Sequence, residues 1–390
     1  MSRTTWIVVA PVQLGAYGGS GAPPGHAVCP AIAAGEPEQS EGGTRPMVRV
    51  SLQVRVVALV LAATAATFLL PARRKRPDEP TGPTAHVRVG LVFDVGGRGD
   101  KSFNDAAYAG VQRAQRELGV TMELLEPASS EDREAAMRLF AARGFDLVIG
   151  VGFIFSSDVD RVARDFPSVR FACIDYAPPA SGPPPNVAGL EFREEEGSYL
   201  VGGVAGLMTK TGHVGFVGGM QTPLIRKFEV GFEAGVHAVC AGCVVHAAYA
   251  GTTPDAFRDP AKGKALAIAE MGAGADVLYH ASGSTGHGVF EAAHDARRLA
   301  IGVDSDQHDE MPDTVVTSMV KRADVSVFDT IRAVLEGRFE GGMRVFGVKD
   351  GAIDYVHEGP HAALLPPEVV TRVEELRADV ASGRVSVPSQ

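Results

Sequence analysis

Cysteine is too scarce here to staple a fold: four in 390 residues excludes a disulfide scaffold. Positive charge is also short. Lys and Arg number 37 against 47 Asp and Glu, a formal charge of -10, which argues against a surface built to hold nucleic-acid phosphates. Neither the Gly96-Gly97 nor the Gly218-Gly219 turn leads into Gly-Lys-Ser/Thr, so a P-loop is missing. The N-terminal region has no helix-turn-helix pattern, which disfavours a DNA-binding repressor. A nucleophile elbow of the Gly-x-Ser-x-Gly type is not found, and no Ser/His/Asp set stands out by spacing, so nothing positive speaks for catalysis. No cofactor is called for.

Residues 1–46 are rich in Gly, Pro and Ala without periodicity, and are expected to be disordered or untranslated. Residues 47–85 change character. A short basic stretch, Met47–Arg55, precedes the charge-free run Val56–Leu70, which is shorter than the ~20 residues of a spanning helix. That is the pattern of a signal or anchor segment, with Met47 as the start and a Pro-punctuated linker over 77–86. Export to the periplasm or cell envelope is the expectation. Two features pull the other way. No cysteine follows the run to carry lipid, and Arg73-Arg74-Lys75-Arg76 sets positive charge on the side to be exported.

From Val87 the pattern alternates strand and helix. Val87–Phe93 is an apolar run of strand length. A helix then starts near Phe103, with Ala107, Val111, Ala114 and Leu118 on one face and Gly119 as its stop. Further buried strands are expected at Val120–Leu125, Asp146–Val151, Val169–Ile174, Asp276–His280 and Ala300–Asp304. Ser129 with Asp132 makes a capping pattern for the helix between the first two of these. Continuous apolar strands separated by helices imply parallel sheets covered on both faces. The order restarts at Val214-Gly-Phe-Val-Gly-Gly219, which repeats the opening Val89–Gly97. Two α/β lobes, rather than one large sheet, are therefore expected. Ligands of such sheets bind beyond the carboxyl ends of the strands, which draws attention to Asp94, Gly150–Phe155, Asp175, Gly218–Gly219, His280–Gly286 and Asp304–Asp306.

Other constellations read blandly. Cys240-Ala-Gly-Cys243 has no second CxxC or histidine pair to complete a zinc site, and follows a helical pattern; an incidental pair or local bridge is expected. Gly283-Ser-Thr-Gly-His-Gly288 departs from the dinucleotide glycine order and reads as a helix N-terminus donating to a ligand hydroxyl. The carboxylates of Asp304–Glu310 lack calcium-loop spacing. His280, His287 and His294, seven apart, are core or surface residues rather than ligands, and no metal site is expected.

Asp100-Lys-Ser-Phe-Asn104, after Gly-Leu-Val-Phe-Asp-Val-Gly-Gly97, resembles the signature of the basic membrane protein family, the purine-nucleoside receptor lipoproteins of ABC importers. The resemblance continues, in collinear order over about 86–355, through Asn186–Gly197, His213–Met220, Pro223–Glu229, Asp259–Lys264, Gly302–Gln307 and Thr317–Lys321. It implies a type I periplasmic-binding-protein fold, two doubly wound parallel-sheet lobes joined by a hinge. The lobes are expected at 86–191 plus 304–338 and at 192–303 plus 339–385. It also implies a non-catalytic receptor, expected to be a monomer, that closes on a purine nucleoside and is met by a membrane permease. Its match places the base between Phe103 and Phe257, with Asp94 and Asn104 on the base edge and Asp175 as a further partner. Gly283, Asp304 and Lys321 match positions that hold the ribose. A sensor of the same fold and a nucleoside-acting enzyme are the alternatives. The missing lipid-attachment cysteine and the Pro-rich loop 177–185 depart from the family pattern.

Overall fold

The computed structural model describes residues 87–94, 96–127 and 132–390. The signal or anchor segment and the Ser129 cap lie outside the described residues. Strand β1 (Arg88–Val92) leads into helix α1 (Phe103–Leu118), which ends on Gly119 at φ 70°, a left-handed cap that glycine supplies without strain. β2 (Thr121–Leu125), α2 (Asp132–Ala142), β3 (Leu147–Val151), α3 (Ser156–Asp165), β4 (Arg170–Ile174) and β5 (Val187–Phe192) follow. The chain then crosses to α4 (Glu194–Met208), β6 (His213–Met220), α5 (Pro223–Val239), β7 (Val244–Gly251), α6 (Pro260–Gly272), β8 (Val277–Ala281), α7 (Gly286–Asp295), β9 (Leu299–Asp304) and β10 (Val315–Lys321). A second crossing reaches α8 (Ala323–Leu335) and β11 (Gly342–Phe346); a third reaches β12 (Ile353–Tyr355) and α9 (Pro367–Ala381). α5 starts at a well-defined cap. Thr222 caps it, accepting from the Ile225 N–H, and Pro223 takes the first turn, where its missing N–H costs nothing.

The strands form two six-stranded sheets, ordered β11-β5-β4-β3-β1-β2 and β12-β10-β9-β8-β6-β7. Every pairing is parallel except β12 with β10. The restart noted in the sequence is real: β1 and β6 hold the same place in their sheets. The expected lobe boundaries need correction. β10 lies in register with β9, Val315 opposite Ala300, and so belongs to the second sheet, not the first. β11 pairs with β5, Gly342 opposite Ala188, and so belongs to the first, not the second. A strand goes where its backbone groups find partners. α8 packs on α1 in the first lobe, while α9 packs on α4 in the second.

Buried strands such as Leu147–Val151, with all five residues inside, put helices on both faces. α4 and α5 approach closely because glycines face the contact: a Cβ on Gly235 would lie 2.0 Å from the Tyr199 carbonyl oxygen. One apolar cluster runs through both lobes, with smaller ones beneath α3 and α7. Cys240 and Cys243 form a disulfide that closes the turn between α5 and β7, in keeping with the local-bridge reading. Among the described residues, no helix is long and apolar enough to cross a membrane.

Candidate functional site

The carboxyl ends of β1, β3 and β4 face those of β8, β9 and β10 across a cavity. Asp94, Phe103, Asn104, Asp175, Phe257, Gly283, Asp304 and Lys321 all line it. The structure thus brings together all eight residues singled out from the sequence. Phe153, Phe228 and Leu224 line it as well and were not singled out. The strand-end rule had marked the Phe153 loop; Phe228 and Leu224 carried no signal beyond lying in a quoted motif.

Lys321, at the end of β10, is the centre of charge. Its Nζ donates to both Asp175 oxygens at 2.8 and 3.1 Å, and lies 3.6 Å from Glu194 Oε1 and 3.7 Å from Asp304 Oδ1. The same ammonium sits 4.5 Å from the centroid of the Phe103 ring, within cation–π range. Burial works against the charge, but the Asp175, Asp304 and Glu194 carboxylates outweigh it and hold the Lys321 pKa above the ordinary lysine value. Glu194 responds oppositely. Burial pushes its carboxyl up to about 8, against the pull of Lys321 and Lys227 and helped by Asp175. Burial also raises Asp304, opposed by Lys321 and by the Ser102 hydroxyl. Asp175 and Asp304 stand at φ 58° and 65°, a conformation that a short polar side chain tolerates and a branched one does not. The turn at each strand end therefore favours the residue type that the site uses.

Asp304 divides its oxygens. Oδ2 accepts from Ser102 Oγ at 2.8 Å, tying the start of α1 to the second lobe; Oδ1 accepts no hydrogen bond from the described residues. A buried acceptor left open beside a cavity is costly unless a ligand donor fills it. Asn104 is more committed than the sequence implied. Its Oδ1 accepts from the Asp94 N–H and its Nδ2 donates to Asp100, leaving one amide proton for a ligand. Asp100 itself receives the N–H groups of Ser102, Asn104 and Asp105 and acts as the brace of this turn.

Glycines set the walls. The Phe257 ring packs on Gly219, where a Cβ would come within 2.3 Å of it, and meets Phe153 edge-on with centroids 6.5 Å apart. Gly283 stands at φ 56° with room for a Cβ only 3.0 Å from the Phe257 carbonyl oxygen, so both conformation and space demand glycine.

The remaining motifs disperse. His280 is buried, and burial, with some help from His287, lowers it to about 3, leaving a neutral ring between Gln307 and Ser282. His287 pairs with Glu310 and His294 sits beside Asp295, so the three histidines do not converge. Asp306 turns away from Asp304 to meet His361 at 2.8 Å. Among the described residues, no group of three or more His, Cys, Asp or Glu side chains is arranged to hold a metal ion.

Comparison with known proteins agrees with this geometry. The family model described as ABC transporter substrate-binding protein PnrA-like matches residues 87–390. The chain is 35% identical to an uncharacterized lipoprotein of Pyrococcus horikoshii, covering 69% of this chain and 68% of that one. It is 29% identical to the ABC transporter nucleoside-binding protein BmpA of Lactococcus lactis, covering 87% of this chain and all of that one. The crystal structure of an ABC transporter solute-binding protein from Aeropyrum pernix superposes with a TM-score of 0.71 at 30% identity, over 78% of this chain and 94% of that one. The chain belongs to the PnrA-like family of ABC transporter substrate-binding proteins, and its two-sheet α/β architecture is theirs.

Proposed function

We propose that this protein binds a purine nucleoside in the cleft and delivers it, unchanged, to a membrane permease. The observation that carries the reading is the coincidence, in one cavity, of aromatic walls with the open acceptor Asp304 Oδ1 beside a buried ammonium. A base needs faces to stack on, worth ~1–3 kcal/mol per base. A ribose needs charged acceptors and donors for its hydroxyls. Phe103 and Phe257 supply the first; Asp304, Lys321 and the Gly283 turn supply the second. Asp94 and the free amide proton of Asn104 meet the base edge. The Lactococcus lactis relative, named as a nucleoside-binding protein, supports the ligand class.

The three crossings between the lobes are a hinge, and closure on the ligand makes the form that the permease engages. The lipoprotein relative and the basic-then-apolar stretch at 47–70 support an exported, envelope-associated receptor. It acts by binding and release, without chemistry.

Calorimetric titration of the full chain with inosine, guanosine, adenosine and cytidine tests the reading. Purine nucleosides are expected to bind tightly. Phe103→Ala and Phe257→Ala are each expected to weaken binding by ~5- to 150-fold, the equivalent of one lost stack. Binding of none of the four removes the ligand class and leaves the receptor with another solute.

A further inference from the structure

Glu194 does not line the cavity, yet it is wholly buried beside the charges that do. It opens α4, in the first crossing between the lobes. Lys321 of β10 faces it at 3.6 Å and Lys227 of α5 at 3.5 Å. Asp175, beyond β4, and Tyr279 of β8 complete its surroundings, with Asp304 on the far side of Lys321. Lys227 is shared, since it also donates to Glu191 at 3.0 Å and to the Phe192 carbonyl oxygen at 3.2 Å. Three buried carboxylates therefore divide one buried ammonium and a fraction of another. Asp175 is hydrogen-bonded twice to Lys321, and Asp304 once to Ser102. Glu194 has no contact as short as theirs: its Oε2 accepts from Lys227 at 3.5 Å, and its Oε1 lies 3.6 Å from Lys321 and accepts from no described residue. In a dry site the surplus negative charge is removed by a proton, and the least supported carboxylate takes it.

These groups come from both lobes: Asp175 from the first, Asp304, Lys321 and Lys227 from the second. Parting the lobes pulls Lys321 from Asp175 and lets water reach the cluster, where a carboxylate ionises in its ordinary range. We propose that Glu194 takes one proton from solvent onto its carboxylate as the lobes close, so that ligand affinity is linked to pH. This inference rests on the receptor reading above. A proton held in the closed form and released from the open one favours binding at low pH and weakens it as pH rises.

The test is titration of the full chain with inosine at pH 6, 7 and 8, each in two buffers of different ionisation enthalpy. Uptake approaching one proton per inosine is expected at pH 7, with affinity falling by up to roughly tenfold per pH unit. Glu194→Gln, a permanent mimic of the neutral acid, is expected to remove the uptake and flatten the profile. Zero uptake by the wild-type protein overturns the proposal whatever the variant does, as does an unchanged slope in a folded Glu194→Gln protein. If inosine does not bind at all, the nucleoside reading has failed, and infrared difference spectra of chains cross-linked with the lobes shut decide the proton separately. A carboxylic-acid carbonyl band at pH 7 that is stronger in cross-linked wild type than in cross-linked Glu194→Gln upholds it; identical bands in the two overturn it.

Discussion

Replacing Glu270 by Met is expected to stabilise the protein, and more so as pH rises. Glu270 lies on α6 against the backbone of β6, with its Oε2 2.2 Å from where a Cβ on Gly215 would sit. It is 5% exposed, and neither carboxyl oxygen finds a hydrogen-bond partner among the described residues. Burial pushes its pKa to about 9 from an ordinary 4.5. A raised folded-state pKa gives stability that is fully present below about 4.5 and is lost as pH climbs toward about 9. At pH 7 the unfolded side chain has ionised over about 2.5 pH units that the folded one has not. At ~1.4 kcal/mol per unit, that withholds about 3 kcal/mol. Met fills similar space without a charge to bury. Urea midpoints of both proteins at pH 5, 7 and 8.5 are expected to separate progressively, from a small gap at pH 5 to about 3 kcal/mol at pH 7. A Glu270→Met protein less stable than wild type at pH 7, with an unchanged pH dependence, would refute the reasoning, because it would mean that the carboxylate is ionised and supported.

Lys321→Met leaves Asp175, Asp304 and Glu194 without their shared cation. A loss of ~3–5 kcal/mol at pH 8 is expected, partly recovered at pH 5 as carboxylates protonate, and urea unfolding at the two pH values checks it. An equal loss at both would show that packing of the lysine stem, not charge, is what matters. Gly219→Ala forces the Phe257 ring off its seat. Stability is expected to fall by ~1–3 kcal/mol, with nucleoside affinity reduced as well. Intact affinity in a destabilised variant would show that Phe257 packs the second lobe without walling the ligand.

How much of this was legible beforehand differs by residue. Local alternation and strand-end position were enough to place Asp94 and Asp175 at the carboxyl rim of one sheet and Asp304 at that of another, because parallel strands all end on the same side of their sheet; that the two rims face each other was not legible. The Lys-Ser-Phe-Asn motif located Phe103 and Asn104, but not that most of Asn104's amide is consumed by Asp94 and Asp100. Phe228 was out of reach. It sits on a helix face like any core aromatic, and only the docking of the two lobes turns that face into a cavity wall.

The chain's own pattern determined many of the elements, their alternation, the doubling into two lobes and the strand ends that line the cavity, since these follow from short-range periodicity and turn chemistry. The tertiary structure alone decided which sheet received the last strands. Val315–Lys321 and Gly342–Phe346 are both short extended segments, and nothing local in either names its partner; the open edges of β9 and β5 do. It alone also decided the electrostatics. Lys321 and Glu194 are ordinary charged residues in sequence, and become a buried cluster only because strands from opposite lobes end within a few ångströms of each other, where burial weakens screening by solvent.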